Sequence, residues 1–262
     1  MDDMKNESDI TETNRQAWDE VAADEESWFV VASPEEIESA RAGNPRVMLT
    51  ATKPLPMDWL GDLQNRNVLC LAGGGGQQGP ILAAAGAVVT VLDFSEQQLA
   101  KDTAVAERES LELKTVQADM RDLSMFADQT FDLIVNPTSV NYCDDVEKVW
   151  RECFRVLRSG GELLCGMINP INYLCDPVDE AEGELNVVNK IPYAEADLDE
   201  EIRNQLWDSD HALEYGHTLE TLIGGQLQAG FRITGYFDDR WGAGDELSEY
   251  VAVFLATRAV KV

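Results

Sequence analysis

The glycine run 73–76 is the strongest candidate for ligand chemistry in the chain, because it stands between an apolar run, 68–72, and a helical pattern. Glycine lets a backbone come within contact distance of a ligand, and the free N–H groups at a helix start favour a polar group. Gly74, Gly76 and Gly79 also satisfy G-x-G-x-x-G, a spacing typical of dinucleotide sites. The alternative is a tight strand-to-helix turn that binds no ligand.

A carboxylate follows the next apolar run at the distance where a ribose is bound. Asp93 ends the run 88–92, about 20 residues after the glycines, and a carboxylate there can accept both ribose hydroxyls. Ser95 has capping-box spacing to Gln98 and can cap the following helix in its place. Replacing Asp93 is expected to weaken cofactor binding with little effect on the stability of the ligand-free fold. NAD and S-adenosylmethionine sites share this arrangement.

Three further motifs, in chain order, separate these two cofactors. Asp119-Met120 follows a third apolar run and offers a carboxylate to an adenine amino group and an apolar side chain to its face, as expected when adenosine binds without a pyrophosphate. The sequences FDLIVNP at 131–137 and RVLRSGGELL at 155–164 come next. The ordered set resembles the Rossmann-like (class I) S-adenosylmethionine-dependent methyltransferases of small-molecule type.

The resemblance covers residues 62–167 and extends to 227–233 and to a helical pattern at 14–22. It implies S-adenosylmethionine as the cofactor and S-adenosylhomocysteine as the product. It also implies that the glycine turn faces the methionine part and the ribose, and that residues 136–139 form the floor of the methyl-transfer site. The implied cofactor-binding residues are Ala72, Gly73, Gly74, Gly75, Gln77, Asp93, Phe94, Gln98, Asp119, Met120, Asn136, Pro137 and Ser139.

The chain departs from the family pattern in the first strand, where Cys70 and Ala72 replace an acidic residue and a glycine. The first replacement removes a carboxylate that helps to hold the amino-acid end of the cofactor. Gln77 or Gln78 is the expected substitute for it.

The motif at 136–139 and the net charge both argue against nucleic acid as a substrate. The motif resembles the NPPY of amino-group methyltransferases, but Thr138 and Ser139 replace the proline and the aromatic residue that hold a planar amine. The formal net charge of −29 repels phosphate backbones and anionic membrane surfaces. We therefore predict a small-molecule acceptor, with no nucleic-acid or membrane partner. Because the charge is spread along the chain, it does not by itself select a cationic acceptor.

The acceptor side of the site is less determined, because methyl transfer mainly needs the acceptor to be held opposite the sulfonium in a dry site. The predicted acceptor-binding residues are Trp18, Asn169, Tyr173 and Tyr193. The catalytic candidates are His217, as a general base near neutral pH, and Tyr142. Packing roles are the alternative for these residues, since tyrosines also pack lids and a lone histidine is a weak signal. No metal site is predicted.

Short apolar runs that alternate with helical patterns position these residues, which is typical of βαβ units and a parallel sheet. Strands are predicted at 67–72, 87–92, 114–118, 131–136, 161–167, 231–236 and 249–257. We predict an α/β fold with a doubly wound, seven-stranded, mostly parallel sheet whose last two strands form an antiparallel edge pair. This is the Rossmann-like methyltransferase fold.

Two segments are expected to close the site. Residues 1–62 are predicted to form an N-terminal helical cap and a connection, and residues 63–262 the methyltransferase domain. Within that domain, 168–216 lacks sheet periodicity and is predicted to be an irregular insertion after the fifth strand, serving as a lid or binding loop. His217 is predicted to begin the last helix, 218–229.

The compartment is predicted from the cysteines and the apolar runs. Five cysteines without a CxxC pair indicate reduced thiols rather than a disulfide framework or a zinc site. No apolar run approaches the roughly 18 residues of a membrane span, and the first residues are acidic rather than basic and apolar. We predict a soluble, cytoplasmic protein.

Two other functions stay open at this point. A nicotinamide-dependent oxidoreductase fits G-x-G-x-x-G, although Asp119-Met120 and the 155–164 motif disfavour it. A non-catalytic protein that senses or carries S-adenosylmethionine fits the same cofactor motifs.

Overall fold

A seven-stranded sheet runs through the computed structural model, which describes residues 7–24, 30–176, 184–207, 211–242 and 244–262. The strands in chain order are β1 (Asn67–Leu71), β2 (Val88–Asp93), β3 (Leu113–Gln117), β4 (Phe131–Asn136), β5 (Leu157–Ile168), β6 (Tyr193–Ala194), β7 (Tyr215–Gly216), β8 (Phe231–Asp239) and β9 (Phe254–Lys261). The sheet order is β3-β2-β1-β4-β5-β9-β8, and β6 pairs with β7 in a separate sheet. Strands β1 to β5 are parallel, and β9 is antiparallel to β5 and β8. The predicted fold class and the antiparallel edge pair are confirmed.

The helices cover both faces of this sheet. They are α1 (Glu7–Ala23), α2 (Pro34–Arg41), α3 (Met57–Leu60), α4 (Gln78–Ala84), α5 (Glu96–Glu109), α6 (Val146–Val156), α7 (Glu200–Leu206), α8 (Gly225–Ala229) and α9 (Glu246–Tyr250). A π-helical turn, Glu220–Gly224, leads into α8. None of the helices among the described residues is both long and apolar enough to cross a bilayer.

Alternate residues of β1 point to opposite faces of the sheet, so this strand contributes to the hydrophobic cores on both sides. Leu69 and Leu71 point to the face that α6 covers, whereas Val68 and Cys70 point to the face that α2 and α4 cover. All four side chains are fully buried. A strand buried on both faces consists of a continuous apolar run. For this reason the strand predicted at 67–72 agrees closely with β1.

Local capping fixes the start of the two helices nearest the cleft described below. The Ser95 hydroxyl accepts a hydrogen bond from the Gln98 N–H at 3.0 Å and begins α5, as its spacing predicted. Asp145 accepts from the Lys148 N–H and begins α6, whose apolar stripe buries Trp150 completely. In the chain, α5 therefore begins just after β2, and α6 begins just after the turn that follows β4.

Three expectations about secondary structure were wrong. The predicted strand 249–257 begins only at Phe254, because the Asp245 side chain caps α9 over the residues before it. β5 begins at Leu157, directly after α6, and not at Gly161. The segment 168–216 is not irregular, since it contains β6, β7 and α7.

The five cysteines, Cys70, Cys143, Cys153, Cys165 and Cys175, are all buried and form no disulfide. Burial raises the pKa of the Cys70 thiol well above its usual range, because a thiolate is poorly solvated there. The prediction that the cysteines pack in the interior is confirmed.

Candidate active site

A cleft at the carboxyl ends of β1, β2 and β3 is lined by four of the thirteen predicted cofactor-binding residues, Ala72, Phe94, Asp119 and Met120. In such sheets ligands bind outside the carboxyl strand ends where the winding reverses, which here is between β1 and β4. The enclosed space is about 20 Å³. Its lining residues are Thr11, Ala72, Phe94, Ala118, Asp119, Met120, Arg121, Tyr142 and Cys143. We call this space the cofactor cleft.

Two buried carboxylates hold the glycine turn at this edge. The Gly74 N–H donates to Asp93 Oδ2 at 3.0 Å, and the Gly75 N–H donates to Asp102 Oδ2 at 2.9 Å. A Cβ on Gly74 would lie 2.9 Å from Asp93 Oδ2, so glycine is required for this approach. Gly75 and Gly76 have φ of 113° and 71°, where side chains are rarely accommodated. The run of glycines is therefore explained by the contacts of the turn itself.

Ala72, at the end of β1, has a left-handed backbone with φ of 45°. A residue with a side chain pays roughly 1–2 kcal/mol for this conformation, which glycine adopts freely. The family pattern has glycine at this position. The departure seen in the sequence therefore places a strained residue in the lining of the cofactor cleft.

The two carboxylates under the turn are almost completely removed from solvent, with Asp93 7% exposed and Asp102 0% exposed. Burial raises the pKa of Asp93 to about 6 and that of Asp102 to about 7, although backbone N–H groups favour their charged forms. The sequence analysis missed Asp102. Its signal was a carboxylate on the buried face of α5, which also carries Leu99 and Val105.

The side of the cleft expected to hold adenine is apolar apart from one ion pair. Phe94, Ala118 and Met120 line it. Asp119 Oδ2 lies 2.6 Å from the Arg121 guanidinium, which also forms an ion pair with Asp144. An adenine amino group would therefore share the Asp119 carboxylate with Arg121.

The end of β4 packs against the end of β1 and the glycine turn. Asn136 is fully buried, and its Nδ2 donates to the Leu71 carbonyl at 2.7 Å and to Ser139 Oγ at 2.8 Å. The Pro137 ring lies 3.5 Å from the position of a Cβ on Gly73. Asn136 therefore holds the ends of β1 and β4 together, and both N–H groups of its side-chain amide are engaged in these hydrogen bonds.

Helix α1 lies across the cofactor cleft. At one end Thr11 Oγ1 accepts from the Arg121 guanidinium at 2.7 Å, and at the other Asp19 Oδ1 accepts from the Ser95 hydroxyl at 2.6 Å. The helix is therefore fastened to the ends of both β3 and β2. Because of this cover, the enclosed volume is far below the roughly 300–1,000 Å³ of typical small-molecule sites.

A second cavity, of about 250 Å³, lies inside the segment 168–216. It is lined by Asn172, Tyr173, Cys175, Asn189, Tyr193, Glu195 and Trp207. The rings of Tyr173 and Tyr193 stack with their centroids 5.6 Å apart. Two of the four predicted acceptor-binding residues therefore share one cavity, which we call the insertion cavity.

The pairing of β6 with β7 brings two carboxylates to this cavity. Glu195 follows β6, and its Oε2 accepts from the backbone N–H of Glu214, which precedes β7, at 2.9 Å. Glu195 Oε2 also lies 2.8 Å from His211 Nε2, and the His211 ring stacks on Trp207 at 4.4 Å. Tyr173 Oη donates to Glu214 Oε2 at 2.5 Å. Burial and the charge of Glu195 raise the pKa of Glu214 to about 7.

Tyr142 stands between the cofactor cleft and the insertion cavity. Its side chain lines the cleft, and its hydroxyl meets Glu214. Burial, followed by the charge of Glu214, raises the pKa of Tyr142 well above its usual value. The ring edge of Trp18 packs on Tyr142 with centroids 5.3 Å apart. This tyrosine is the point where the two predicted halves of the site meet.

Asn141, beside Tyr142, is 3% exposed, yet within the described part of the chain neither of its amide atoms makes a hydrogen bond of regular geometry. An unsatisfied buried amide costs about 1–3 kcal/mol. Asn141 is therefore a further candidate for contact with a ligand. The sequence held no periodic or motif signal that distinguished it.

Comparison with known proteins decides the family. Residues 69–165 match the family model described as a methyltransferase domain. Over 250 residues the chain is 44% identical to an uncharacterized methyltransferase, YbaJ, from Bacillus subtilis (strain 168), covering 95% of this chain and 97% of that protein. The chain belongs to the S-adenosylmethionine-dependent methyltransferases.

Solved methyltransferases share the fold. An S-adenosylmethionine-dependent methyltransferase from Mesorhizobium loti superposes with a TM-score of 0.62 at 20% identity, over 78% of this chain and 94% of that one. The 1,6-didemethyltoxoflavin-N1-methyltransferase of Burkholderia thailandensis, with bound 1,6-didemethyltoxoflavin and S-adenosylhomocysteine, gives 0.61 at 14% identity, over 100% and 93%. At these identities the likeness concerns the fold alone. The cofactor of this methyltransferase is S-adenosylmethionine, which removes the nicotinamide alternative.

The residues at this sheet edge have the chemistry that the adenosine part of that cofactor requires, although the cleft as closed by α1 is too small to hold it. The hydrogen bonds that Asp93 accepts from the Gly74 and Ser95 N–H groups use one position on each carboxylate oxygen and leave others for hydroxyl donors. Phe94 and Met120 offer apolar surface beside it. The acceptor oxygens of Asp93, the apolar side chains and the close approach of the turn agree with a ribose and a purine.

Gln77 and Gln78 do not replace the acidic residue that the family pattern has at the position of Cys70, because both side chains hydrogen-bond to other parts of the chain. Gln77 Nε2 donates to the Val30 carbonyl at 2.6 Å, and Gln78 Nε2 donates to the Met48 carbonyl at 3.1 Å. Both side chains are thus used to fasten the segment before β1. Their contact with the cofactor stays a prediction without structural support.

The helix predicted at 218–229 begins at Leu219, with the Thr218 hydroxyl accepting from the Thr221 N–H, close to the predicted start; His217 lies two residues before it, directly after β7. Its Nε2 lies 2.8 Å from the Cys143 carbonyl, which only accepts, so Nε2 carries the proton. Burial lowers the pKa of His217 and keeps the ring neutral near pH 7, with Nδ1 as its basic atom. His217 thereby holds the turn that carries Tyr142.

Asn169 is not among the residues that line the insertion cavity, and its side chain hydrogen-bonds elsewhere. Its Nδ2 donates to the Ala252 carbonyl at 2.8 Å, and its Oδ1 accepts from the Ile171 N–H at 3.2 Å. The side chain caps the short turn after β5 with both ends of its amide. A role in acceptor binding stays a prediction, which the observed contacts do not support.

Proposed function

We propose that this methyltransferase transfers the methyl group of S-adenosylmethionine to a small molecule held between α1 and the 168–216 insertion. The observation that carries the proposal is the position of Tyr142, whose ring lines the cofactor cleft and whose hydroxyl meets Glu214 beside the insertion cavity. A transferase needs such a junction, because its two substrates must meet at one point.

The proposed cofactor contacts follow from the cleft. Asp93 accepts hydrogen bonds from the ribose hydroxyls, and Phe94 and Met120 pack against the adenine. The backbone of the glycine turn lies against the methionine part, with Asn136 fixing the strand ends below it. The cofactor supplies a sulfonium methyl group that is already activated for displacement.

The chain itself orients the acceptor, excludes water and holds a proton. Trp18 and Tyr142 close the junction from the side of α1. Glu214, with a pKa of about 7, can take up a proton at a carboxylate oxygen near neutral pH, where Tyr173 and Glu195 surround it. In-line displacement at the methyl carbon, with the acceptor atom forming the new bond as the sulfur leaves, requires little more than this positioning.

The proposed domain division gives α1 the role of a cap. The enclosed cleft of about 20 Å³ does not admit a nucleoside while α1 is fastened through Thr11 and Asp19. We infer that α1 withdraws when the cofactor enters and closes over it afterwards, as part of the cap formed by residues 1–62. The segment 168–216 then acts as the acceptor-binding insertion.

Turnover of the purified protein tests the proposal and separates it from the non-catalytic alternative. The wild type should release S-adenosylhomocysteine when supplied with S-adenosylmethionine and a panel of small-molecule acceptors. Tyr142→Leu should lower turnover by about 10²-fold, the range expected when a positioned group is lost, whereas Tyr142→Phe should retain more of it. Binding of the cofactor without release of S-adenosylhomocysteine from any acceptor would support a carrier or sensor instead.

A further inference from the structure

We propose that the insertion cavity binds an ammonium group of the methyl acceptor, using the rings of Tyr173, Tyr193 and Trp207 and the carboxylate of Glu195. The inference rests on the proposed function, since it assigns the acceptor's chemical class. The ammonium is the recognised group and not the methylated atom, because Tyr142 stands between this cavity and the cofactor cleft.

Aromatic rings are the first support. Of the seven residues that line the cavity, three are Tyr or Trp. Tyr173 stacks behind Tyr193 and His211 covers one face of Trp207, so the outer face of Tyr193 and the other face of Trp207 are the ones a ligand can reach. The faces of such rings carry negative potential and attract cations, which is how aromatic cages recognise quaternary ammonium ligands. The Tyr193 ring is only partly buried by its neighbours, so one side of it is available to the cavity.

Charge is the second support. Among the described residues that line the cavity there is no Lys or Arg, and Glu195, 6% exposed, places its carboxylate at the wall. Glu214 lies directly behind it, and its backbone N–H donates to Glu195 Oε2. An anionic acceptor group would be repelled by the Glu195 carboxylate, whereas a cation would be attracted to it.

Size and polarity limit the occupant. A cavity of about 250 Å³ holds about eight water volumes, which is enough for a small ammonium head. Asn172 and Asn189 add amide groups that can hydrogen-bond a polar substituent next to the cation. The occupant is therefore a compact organic cation rather than a flat hydrocarbon.

Titration calorimetry with a charged probe and its neutral isostere tests this inference. Choline chloride and 3,3-dimethyl-1-butanol have the same shape, so only the charge differs. Both are titrated at constant ionic strength into protein saturated with S-adenosylhomocysteine. The wild type should bind choline at least about 10-fold more tightly than the alcohol, as expected for a desolvated cation–π site. Equal affinities would overturn the proposal.

Matched variants locate the binding. Tyr193→Leu should weaken choline binding about 5- to 30-fold, whereas Tyr193→Phe, which keeps the ring face, should stay within about 3-fold. Glu195→Gln should weaken it about 10-fold, and Glu35→Gln, which makes the same charge change on the exposed surface of α2, should not. Choline affinity that is the same in Tyr193→Leu and Glu195→Gln as in the wild type would overturn the proposal even if choline binds.

The same samples distinguish this proposal from the proposed function. Affinity for S-adenosylhomocysteine and turnover report on the methyltransferase reaction, and the choline preference reports on the cavity. Turnover with no preference for choline would overturn only the cavity assignment. A choline preference without any turnover would support the cavity and count against methyl transfer.

Discussion

The cofactor cleft and the insertion cavity differ in how the chain builds them. The cleft is made at the ends of neighbouring strands, so the pairing of β1 with β2 and β4 places its residues within hydrogen-bonding distance. The insertion cavity depends on the two-residue strands β6 and β7 and on side chains from α7 and the turn after β5. A rigid sheet edge fits a cofactor shared by a family, whereas a separate insertion can vary with the acceptor.

Both regions bury carboxylates, but they compensate them differently. Backbone N–H groups of the glycine turn donate to one oxygen each of Asp93 and Asp102, and the buried Oδ1 of Asp102 has no partner among the described residues. Side chains and a single backbone N–H surround Glu195 and Glu214. Main-chain compensation belongs to the fold and persists in every state that keeps the turn. Side-chain compensation leaves the insertion cavity more open to tuning by a bound ligand.

The largest loss of ligand affinity is expected from Gly74→Ala, which changes the cofactor cleft and leaves the insertion cavity unaltered. The new Cβ would lie 2.9 Å from Asp93 Oδ2 and from the Gln98 Cβ, so the turn must move away from the carboxylate. We expect at least about a 100-fold loss of affinity for S-adenosylhomocysteine, measured by titration calorimetry, because several charge-assisted contacts are displaced together.

Gly242→Ala is the matched control, because no atom lies within 4 Å of its new Cβ and its φ is ordinary. It should bind S-adenosylhomocysteine like the wild type. The choline preference of the insertion cavity should survive Gly74→Ala if the two regions are built independently. A Gly74→Ala protein with unchanged cofactor affinity would show that the turn is not part of the cleft's binding surface.

The second effect is a pH dependence of stability that comes from Asp102. Its pKa is raised to about 7 by burial, with Asp93 and Cys70 as the ionisable groups facing it. The folded state therefore binds more protons than the unfolded state between about pH 4 and pH 7, so this contribution makes the free energy of unfolding fall as the pH rises through that range. Asp102→Asn should remove this fall and stabilise the protein at pH 8 by about 2–4 kcal/mol, with little change at pH 4.

Asp132→Asn is the opposite control for this measurement. The pKa of Asp132 is lowered, with Asn67 and Arg158 hydrogen bonds opposing its partial burial, so its stabilising effect is present at neutral pH and lost in acid. Chemical denaturation at pH 4, 6 and 8 should therefore show stabilisation by Asp102→Asn and destabilisation by Asp132→Asn at pH 8. The same sign for both variants at pH 8 would contradict the electrostatic account of the turn.

The smallest effect is expected at His217, between the two regions. Because its Nε2–H donates to the Cys143 carbonyl, we expect a positioning role for the turn that carries Tyr142. His217→Gln can keep this donor and should hold kcat within about 3-fold with an unchanged pH profile, whereas His217→Ala should lower kcat more. A loss of about 10²-fold or more in His217→Gln, with a flattened pH profile, would identify a general base instead.

The cofactor half could be predicted from the sequence because its signals are local. The run of glycines after β1 and the carboxylate at the end of β2 each lie next to the strand that positions them. Asp102 was missed, although its place on the apolar face of α5 was readable. A polar residue at a buried helical position can serve the backbone of a distant turn as well as a ligand.

The acceptor half could not be predicted to the same depth. Glu195 and Glu214 are 19 residues apart and meet only through strands of two residues, too short for a periodic pattern. Tyr173 and Tyr193 were selected by residue type and do share the insertion cavity. Asn169 was selected on the same grounds and instead caps a turn, because residue type alone does not reveal which backbone groups need a partner.

The most direct test of the whole account is the affinity of Asp93→Ala for both forms of the cofactor. The structure corrects one expectation, because Asp93 accepts from the Gly74 and Ser95 N–H groups, and its loss should also lower stability without ligand. Asp93→Asn, which keeps one acceptor oxygen, is the control for that loss. Titration calorimetry below the melting temperature of each variant should show S-adenosylmethionine and S-adenosylhomocysteine weakened alike in Asp93→Ala, by ~2–4 kcal/mol or a factor of roughly 30 to 1,000. Wild-type affinity for either ligand would contradict the proposal that the glycine turn and Asp93 bind the nucleoside.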